Sequence, residues 1–460
     1  MYYKLSPGYA LRSWKNTGTV LYNLYSGQMK KLSLPEFLLL KSCDGITKMD
    51  TDPWLNSFIE RGVVTPCDEQ GEGDSRPQLP SEQQFRAYPN EYFAIAQWAI
   101  TERCNYNCRH CFMMPPHTNS TGEPTLSQCY ELIEQFSACG IPEIYITGGE
   151  PLVRKDFLSI IDKLVEKNIY ISLISTNGAL VTDELLSQIK SRGISPTFVV
   201  SFDGVGCHDW MRRVEASEDA SLRAIKLIIK HGFSVACEMS VYKGNAHLVT
   251  ETAQMMRDLG VGYFKTFYVA NSLRWQAAGE EQSLTFEEYY DICLEVLEQA
   301  FIRNWQMNMK LVACLHYHYS SKKVDILPSK GIEKDHDGTV LCKKARTILF
   351  VAGDGRLLPC NPFTATSYGK EDWGNAFETP LQSLITKSGY LDKVNSPIST
   401  LKELNKKCLD CQWLKECWGG CRALAYGHTG DYYGADPLKC AFFEGGYKEK
   451  IQELAEKYSI

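Results

Sequence analysis

Apolar positions recur along this chain in two rhythms, a two-residue alternation and a spacing of three to four residues. Between about 93 and 270 the two rhythms take turns. Strand-like runs fall at 93–100, 143–147, 170–175, 197–201, 234–241 and 262–267, with helical spacing between them at 126–138, 158–167 and 220–230. Such alternation predicts βα units around a parallel sheet. Six units predict a partial barrel with its chemistry at the C-terminal ends of the strands. Residues 286–304 read as a long helix. Beyond about 340 the elements shorten among Gly-rich turns and cysteines, a pattern that needs metal staples to hold.

Upstream, residues 1–66 read as a separate module. Strands at 20–25 and 29–32 flank the turn Ser26-Gly27. A helix then opens at Ser33-Leu34-Pro35-Glu36, with Ser33 as its cap and Pro35 in the first turn. A second helix covers 53–60 and stops near Gly62, before the apolar pair Val63-Val64. Hairpin, helices and returning strand predict a winged-helix-like unit. Residues 67–91 carry six acids against two arginines and few large apolar groups, which predicts a mobile linker.

Charge and targeting signals narrow the function classes. The net charge is −6 over 460 residues, so no broad grip on nucleic acid is expected. The first 15 residues lack the apolar core of a secretion signal, and no apolar run approaches the ~20 residues of a membrane span. The expectation is a cytoplasmic protein that binds neither membrane nor nucleic acid.

The 18 cysteines change the picture most. In a cytosolic chain their clustering points to metal or catalytic thiols rather than disulfides. Cys104, Cys108 and Cys111 form a Cys-x3-Cys-x2-Cys run directly after the first barrel strand. Three thiolates on one loop can hold three irons of a 4Fe–4S cube and leave the fourth iron open. The competing reading is three structural or zinc thiols.

This run, with Phe112 after its last cysteine, resembles the signature of the radical S-adenosylmethionine (SAM) superfamily. The resemblance implies that the open iron chelates SAM, and that reductive cleavage yields a 5′-deoxyadenosyl radical that abstracts hydrogen. An external reductant such as flavodoxin or ferredoxin is then expected. Gly148-Gly149-Glu150-Pro151 ends the second strand and is similar to the family's GGEP motif, where glycines approach the SAM amino group and the acid favours a cationic amine. Ser175 and Asn177, in Ser175-Thr176-Asn177-Gly178, end the third strand; Ser201 and Asp203, in Ser201-Phe202-Asp203-Gly204, end the fourth. Both resemble motifs near the SAM ribose and methionine, although Asn-Gly and Asp-Gly are also ordinary turns. Asn245 and Arg274 follow the fifth and sixth strands and could serve the cofactor or simply lie at the surface.

A second array follows the order Cys342, Gly355-x4-Cys360, Cys408-x2-Cys411-x5-Cys417-x3-Cys421, Cys440. It resembles the seven-cysteine SPASM domain, which binds two auxiliary 4Fe–4S clusters. The resemblance assigns Cys408, Cys411, Cys417 and Cys440 to an outer cluster, and Cys342, Cys360 and Cys421 to an inner one. A zinc ribbon is the competing reading. No cysteine lies between Cys342 and Cys360, so the inner cluster keeps an open iron, takes a ligand from elsewhere, or is smaller. Asn361 stands after Cys360 where sulfatase-maturating relatives carry a basic Asp, and an amide cannot accept that proton. The other cysteines, at 43, 67, 129, 139, 207, 237, 293 and 314, read as small buried hydrophobes, with Cys237 or Cys314 as candidates to face the cavity.

Residues 1–66 resemble, in element order and size, the peptide-recognition domain of maturases such as those of the pyrroloquinoline-quinone pathway. That resemblance implies a precursor peptide whose leader adds a strand to the hairpin. A structural cap on the barrel is the alternative. The expected organisation is a winged-helix-like unit (1–66), a linker (67–91), a partial (β/α)6 radical SAM barrel (92–275), a helical bridge (276–339) and a cysteine-rich SPASM domain (340–460). The expected function is maturation of a ribosomally synthesised peptide through a thioether or carbon–carbon crosslink. Alternatives are epimerisation, or modification of a protein or small molecule in the manner of sulfatase or quinone-cofactor maturation.

Overall fold

The computed structural model describes residues 1–15, 17–24, 26–50, 52–67, 85–88, 93–113, 123–269, 272–327, 337–365, 373–386 and 389–460. Near the N-terminus run β1 (Tyr2–Leu5), β2 (Tyr9–Trp14), β3 (Gly18–Asn23) and β4 (Met29–Lys31), then β5 (Asp44–Lys48) and β6 (Val64–Cys67). The helices Leu34–Ser42 and Pro53–Glu60 lie between them. Ser33 caps the first, in a reciprocal pair with Glu36, and Asp52 caps the second, so local chemistry fixes both starts. Leu5, Leu11, Leu40, Leu55 and Phe58 build a core that belongs to this unit alone.

The segment 67–91 departs from the expected linker. Its residues Phe85–Tyr88 form β7, which pairs parallel with β2 in a sheet ordered β4-β3-β2-β7. Two aromatic anchors explain it. Phe85 meets Phe37 at 5.0 Å between ring centroids, and Tyr88 stacks on Trp14 at 5.6 Å. Low overall apolar content concealed them. Residues 68–84 and 89–92 lie outside the described residues.

The barrel follows the predicted alternation. β8 (Ile95–Ala99), β9 (Glu143–Thr147), β10 (Tyr170–Thr176), β11 (Thr197–Ser201), β12 (Val235–Val241) and β13 (Tyr263–Tyr268) pair in parallel and in sequence order. Ile144, Ile146, Ile174, Val200, Met239 and Phe264 face the helices and are buried in the main core. Polar residues on alternate positions therefore line the inner side. Cys237 and Cys314 are fully buried within that core, so neither faces the cavity: Cys237 sits on the helix side of β12, and Cys314 in the turn between the strands 308–311 and 315–318.

The expected helical bridge at 276–339 is only partly helical. After the helix Phe286–Ile302 come β14 (Asn308–Leu311), β15 (Leu315–His318) and β16 (Lys323–Ile326). β14 continues the parallel wall beside β13, and β15 and β16 return antiparallel. The alternation of Met309, Leu311, Leu315 and Tyr317 with Lys310, His316 and His318 supplies the reason. On the opposite edge, β17 (Ile348–Val351) pairs parallel with β8 and then with β18 (Leu357–Leu358). The wall is thus an 11-stranded sheet running from β16 to β18. No helix among the described residues is long and apolar enough to cross a membrane.

The N-terminal unit docks below the barrel, at the start of β9 and β10. Trp14 Nε1 donates to Gly140 O at 2.9 Å and Tyr22 Oη to Pro142 O at 2.7 Å.

Candidate active site

The first cysteine loop leaves the end of β8 and is strapped to the loop after β9. Gly149 N donates to Thr101 O and Glu150 N to Arg103 O, both at 2.8 Å. A Cβ on Gly148 would lie 2.5 Å from Thr101 O, and one on Gly149 would collide with Arg103 O. Both glycines are required for this backbone approach. Pro151 opens the single turn Pro151–Val153.

Glu150 is almost wholly buried, at 1% exposure. Its carboxylate accepts from Thr176 Oγ1 (2.9 Å), Asn177 N (2.7 Å) and Leu152 N (3.1 Å). It therefore braces the end of β10 against the cysteine loop. Burial pushes its pKa up to about 7 against those hydrogen bonds. Asn177 Nδ2 donates to Asn105 Oδ1 at 2.7 Å and stands 4.0 Å from Cys104 Sγ. Ser175 and Ser201 are half-buried at the ends of their strands.

Asp203 and Asn245 are buried and bonded to neighbouring strands. Asp203 is fully buried. Its Oδ1 accepts from Ser240 N, and its Oδ2 from Arg212 Nε at 2.7 Å, with His208 Nδ1 at 3.3 Å. Burial opposes its charge, but Arg212 and His208 overcome that and hold its pKa below the usual carboxylate range. Asn245 donates to Asp203 O and Ser240 O and accepts from Tyr242 N, so it staples the ends of two strands.

Arg274, Arg212, Arg109 and His110 complete the loop's surroundings. Arg212 Nη1 lies 3.8 Å from Cys108 Sγ, and Arg274 Nη1 donates to Cys108 O at 3.1 Å. Arg109 donates through Nε to Trp210 O, and its guanidinium lies 4.4 Å from the Trp210 ring centroid. Trp210 in turn stacks on Tyr242. His110 is half-buried, and its enclosed Nδ1 has no partner among the described residues. Burial, with Arg212 adding to it, pushes the His110 pKa down to about 3. Contiguity with the cysteine run was the one sequence signal for His110 and Arg109; Arg212 had none.

The thiols suit an iron–sulfur group. Burial pushes Cys104 up to about 12 and Cys111 up to about 11, with neighbouring Cys108 adding to both. Such thiols ionise when a cation replaces their protons. In the C-terminal region burial pushes the Cys360 and Cys421 thiols up, with Cys342 adding to both. Cys408, Cys411, Cys417 and Cys440 line one open pocket, together with Trp413, Asp436 and Lys439. Asp436 stands between the two sets: it accepts from Cys421 N at 2.7 Å and caps the helix Pro437–Glu444, which carries Cys440. Among the described residues, no three His, Cys, Asp or Glu side chains converge on a single metal ion. Thiols gathered on one pocket suit a multi-iron group with thiolate corners.

Residues 98–259 match the model of the Radical SAM superfamily. The AdoMet-dependent heme synthase of Methanosarcina barkeri is 26% identical over 357 residues, covering 76% of this chain and 97% of its own length. The chain is a radical SAM enzyme. Its cofactors are SAM and a 4Fe–4S cluster. Among other radical SAM relatives, the PqqA peptide cyclase of Bradyrhizobium diazoefficiens is 22% identical, covering 74% of this chain and 84% of its own. The crystal structure of Streptococcus suis SuiB bound to precursor peptide SuiA superposes with a TM-score of 0.65 at 16% identity, covering 95% of this chain and 99% of that one. The radical SAM fold of the present chain therefore extends, in outline, through the N-terminal and cysteine-rich parts.

Proposed function

We propose that this enzyme matures a ribosomally made precursor peptide by hydrogen abstraction, forming a thioether or carbon–carbon crosslink. The observation that carries the reading is the edge of the N-terminal unit. Among the described residues β4 is an edge strand, and its three residues are all exposed. The adjoining helix presents Leu34 and Leu38, 69% and 52% exposed and one turn apart. An extended leader can add a strand to β4 and cover both leucines. Main-chain hydrogen bonds would give affinity, and the leucines would give selection.

When bound, SAM and the first cluster supply the abstracting radical. Cys104, Cys108 and Cys111 hold that cluster. Gly148 and Gly149 present backbone to SAM, with Glu150 and Pro151 shaping the turn, and Ser175, Asn177, Ser201 and Arg274 border the same end of the barrel. Asp203 and Asn245 serve by holding Arg212 and the strand ends. Cys342, Cys360 and Cys421 hold an inner auxiliary cluster, and Cys408, Cys411, Cys417 and Cys440 an outer one. The peptide's modified part reaches the barrel while its leader stays on the N-terminal unit, which raises its effective concentration. The setting is cytoplasmic, with flavodoxin or ferredoxin as electron donor.

A second reading is favoured by the likeness to the heme synthase over three quarters of the chain: a step of heme synthesis acting on a tetrapyrrole. Anaerobic co-expression with the short open reading frames beside the gene, followed by peptide mass analysis, separates the two. Loss of about two hydrogens that disappears when Cys104, Cys108 and Cys111 become Ala supports the first. An unchanged peptide together with conversion of an iron-porphyrin substrate replaces it with the second.

A further inference from the structure

Two buried cations flank the pocket of Cys408, Cys411, Cys417 and Cys440, and the function proposed above uses neither. Lys439 lines that pocket and is 4% exposed. It sits on the helix Pro437–Glu444, directly before Cys440. Its Nζ donates to Leu327 O and lies 3.9 Å from the centre of the Phe442 ring. An ammonium has three protons to donate, and that carbonyl takes one.

Arg422 is 2% exposed and opens the helix Arg422–Thr429, directly after Cys421. Its Nη1 is anchored on Tyr432 O at 2.8 Å and Gly434 O at 2.9 Å. Nε and Nη2 are buried and have no hydrogen-bond partner among the described residues. Nη2 borders the pocket wall: a Cβ on Gly419, which lines the pocket, would lie 3.2 Å from it. Asn405 donates to Tyr433 O at 2.8 Å and accepts from Cys408 N at 3.1 Å. Residues 432–434 thus fix the Arg422 guanidinium and, through Asn405, the short helix of Cys408 in one frame.

Charge around the pocket does not balance. A third cation, Lys407, is exposed and has Glu444 at 3.5 Å. Neither Lys439 nor Arg422 forms an ion pair with a carboxylate among the described residues. The buried acid on the pocket, Asp436, accepts from Cys421 N at 2.7 Å and from Lys439 N at 3.3 Å. Its single charge offsets at most one of the two cations. Burying a cation without a counter-charge is costly. Four thiolates carry more negative charge than the iron–sulfur core they bind offsets, so such a group supplies the missing anion.

We propose that Lys439 and Arg422 are the counter-cations of the outer auxiliary cluster: they help to retain it and raise its reduction potential. Net charge and hydrogen bonds to sulfur set such potentials. Both residues supply charge, and Nε and Nη2 of Arg422 are spare donors. Both act through the cluster and are positioning residues. The inference rests on the reading of the four cysteines as ligands of one iron–sulfur group, and adds to it the residues that balance its charge.

The test uses the reconstituted full-length enzyme and a redox titration followed by electron paramagnetic resonance. The outer cluster's signal is the one lost when Cys408, Cys411, Cys417 and Cys440 become Ala. Lys439→Met and Arg422→Gln should each shift its reduction equilibrium about tenfold toward the oxidised form, a fall of about 59 mV for one electron. Both should also release iron to a chelator faster than the parent, and Lys439→Arg should keep the parent values. A purely structural role would lower the melting temperature and leave the potential where it is. That result, in protein carrying the parent's iron, overturns the inference and leaves the cysteine assignment standing. If Lys439→Met fails to load while Lys439→Arg loads, retention is supported and Arg422→Gln decides the potential. If the four-Ala variant keeps the parent's iron content, the cysteine assignment fails and the inference falls with it.

Discussion

Arg212 joins Asp203 to the first cysteine loop: its Nε is 2.7 Å from Asp203 Oδ2 and its Nη1 is 3.8 Å from Cys108 Sγ. Both side chains are buried. Replacing Arg212 with Met leaves the Asp203 charge uncompensated, and such losses cost about 3–5 kcal/mol. Arg212→Met should therefore lower the apparent melting temperature sharply. The double variant Arg212→Met/Asp203→Asn should recover part of it. In protein that still carries iron, removing a positive charge beside a cluster thiolate should also make the cluster harder to reduce. Thermal scans and redox titration read the two effects independently.

Cysteine replacement separates the clusters. Ala at Cys104, Cys108 and Cys111 should abolish 5′-deoxyadenosine release and remove roughly four irons per chain, while iron held by the C-terminal thiols remains. Ala at Cys408, Cys411, Cys417 and Cys440 should remove a similar share and leave the first cluster's signal when SAM binds. Iron assay and electron paramagnetic resonance distinguish the sets.

The barrel was legible because its strands alternate with helices in sequence order. Six strand positions read from the sequence coincide with β8 to β13 to within two residues at each end. The capping signals at Ser33 and Thr125 were equally local. What escaped was long-range. β7 depends on Tyr88 finding Trp14, and β17 depends on a partner some 250 residues upstream in β8. In the site, glycine motifs and cysteine spacing announced themselves, whereas Arg212 and His208 take their meaning from strand register and burial. Asn245 and Asp203 stood at the expected positions, but their polar atoms are consumed by the scaffold.

Lys310 gives a stability prediction with a definite sign. Burial, then Lys344 and Lys265, lower its pKa in the folded chain to about 7 from an ordinary 10.5, so the unfolded chain binds more protons between those values. The folded state is penalised fully below about pH 7, and the penalty fades as pH rises toward 10.5. Lys310→Met should therefore melt at a higher temperature than the parent at pH 6–7. The advantage should shrink steadily up to pH 10. Melting scans of the same preparations across that range check it.

Leucines 34 and 38 can be tested apart from chemistry. Leu34→Asp/Leu38→Asp changes two exposed side chains, so the fold should persist. Affinity for the precursor should fall at least tenfold by fluorescence anisotropy with a labelled leader, since charges at a strand-addition pocket reject apolar anchors. SAM cleavage without peptide should be unchanged.

Docking of the N-terminal unit calls for a different readout. Trp14→Phe/Tyr22→Phe removes the hydrogen bonds to Gly140 O and Pro142 O and keeps the rings. Leader affinity should hold, while the rate of peptide modification at low substrate falls, because a loosely held leader no longer concentrates the rest of the peptide at the barrel.

The pairing of β17 with β8 bears on how the molecule is made. β8 leads straight into the loop of Cys104, and its outer edge is closed by a strand that emerges from the ribosome some 250 residues later. Until that strand arrives, and until Cys342 and Cys360 on either side of it are secured, β8 presents an open edge that invites pairing with another chain. With the proposed cluster ligands, iron delivery and completion of the barrel become one event in the life of the nascent protein. A cell short of iron would accumulate aggregated chains rather than inactive soluble ones.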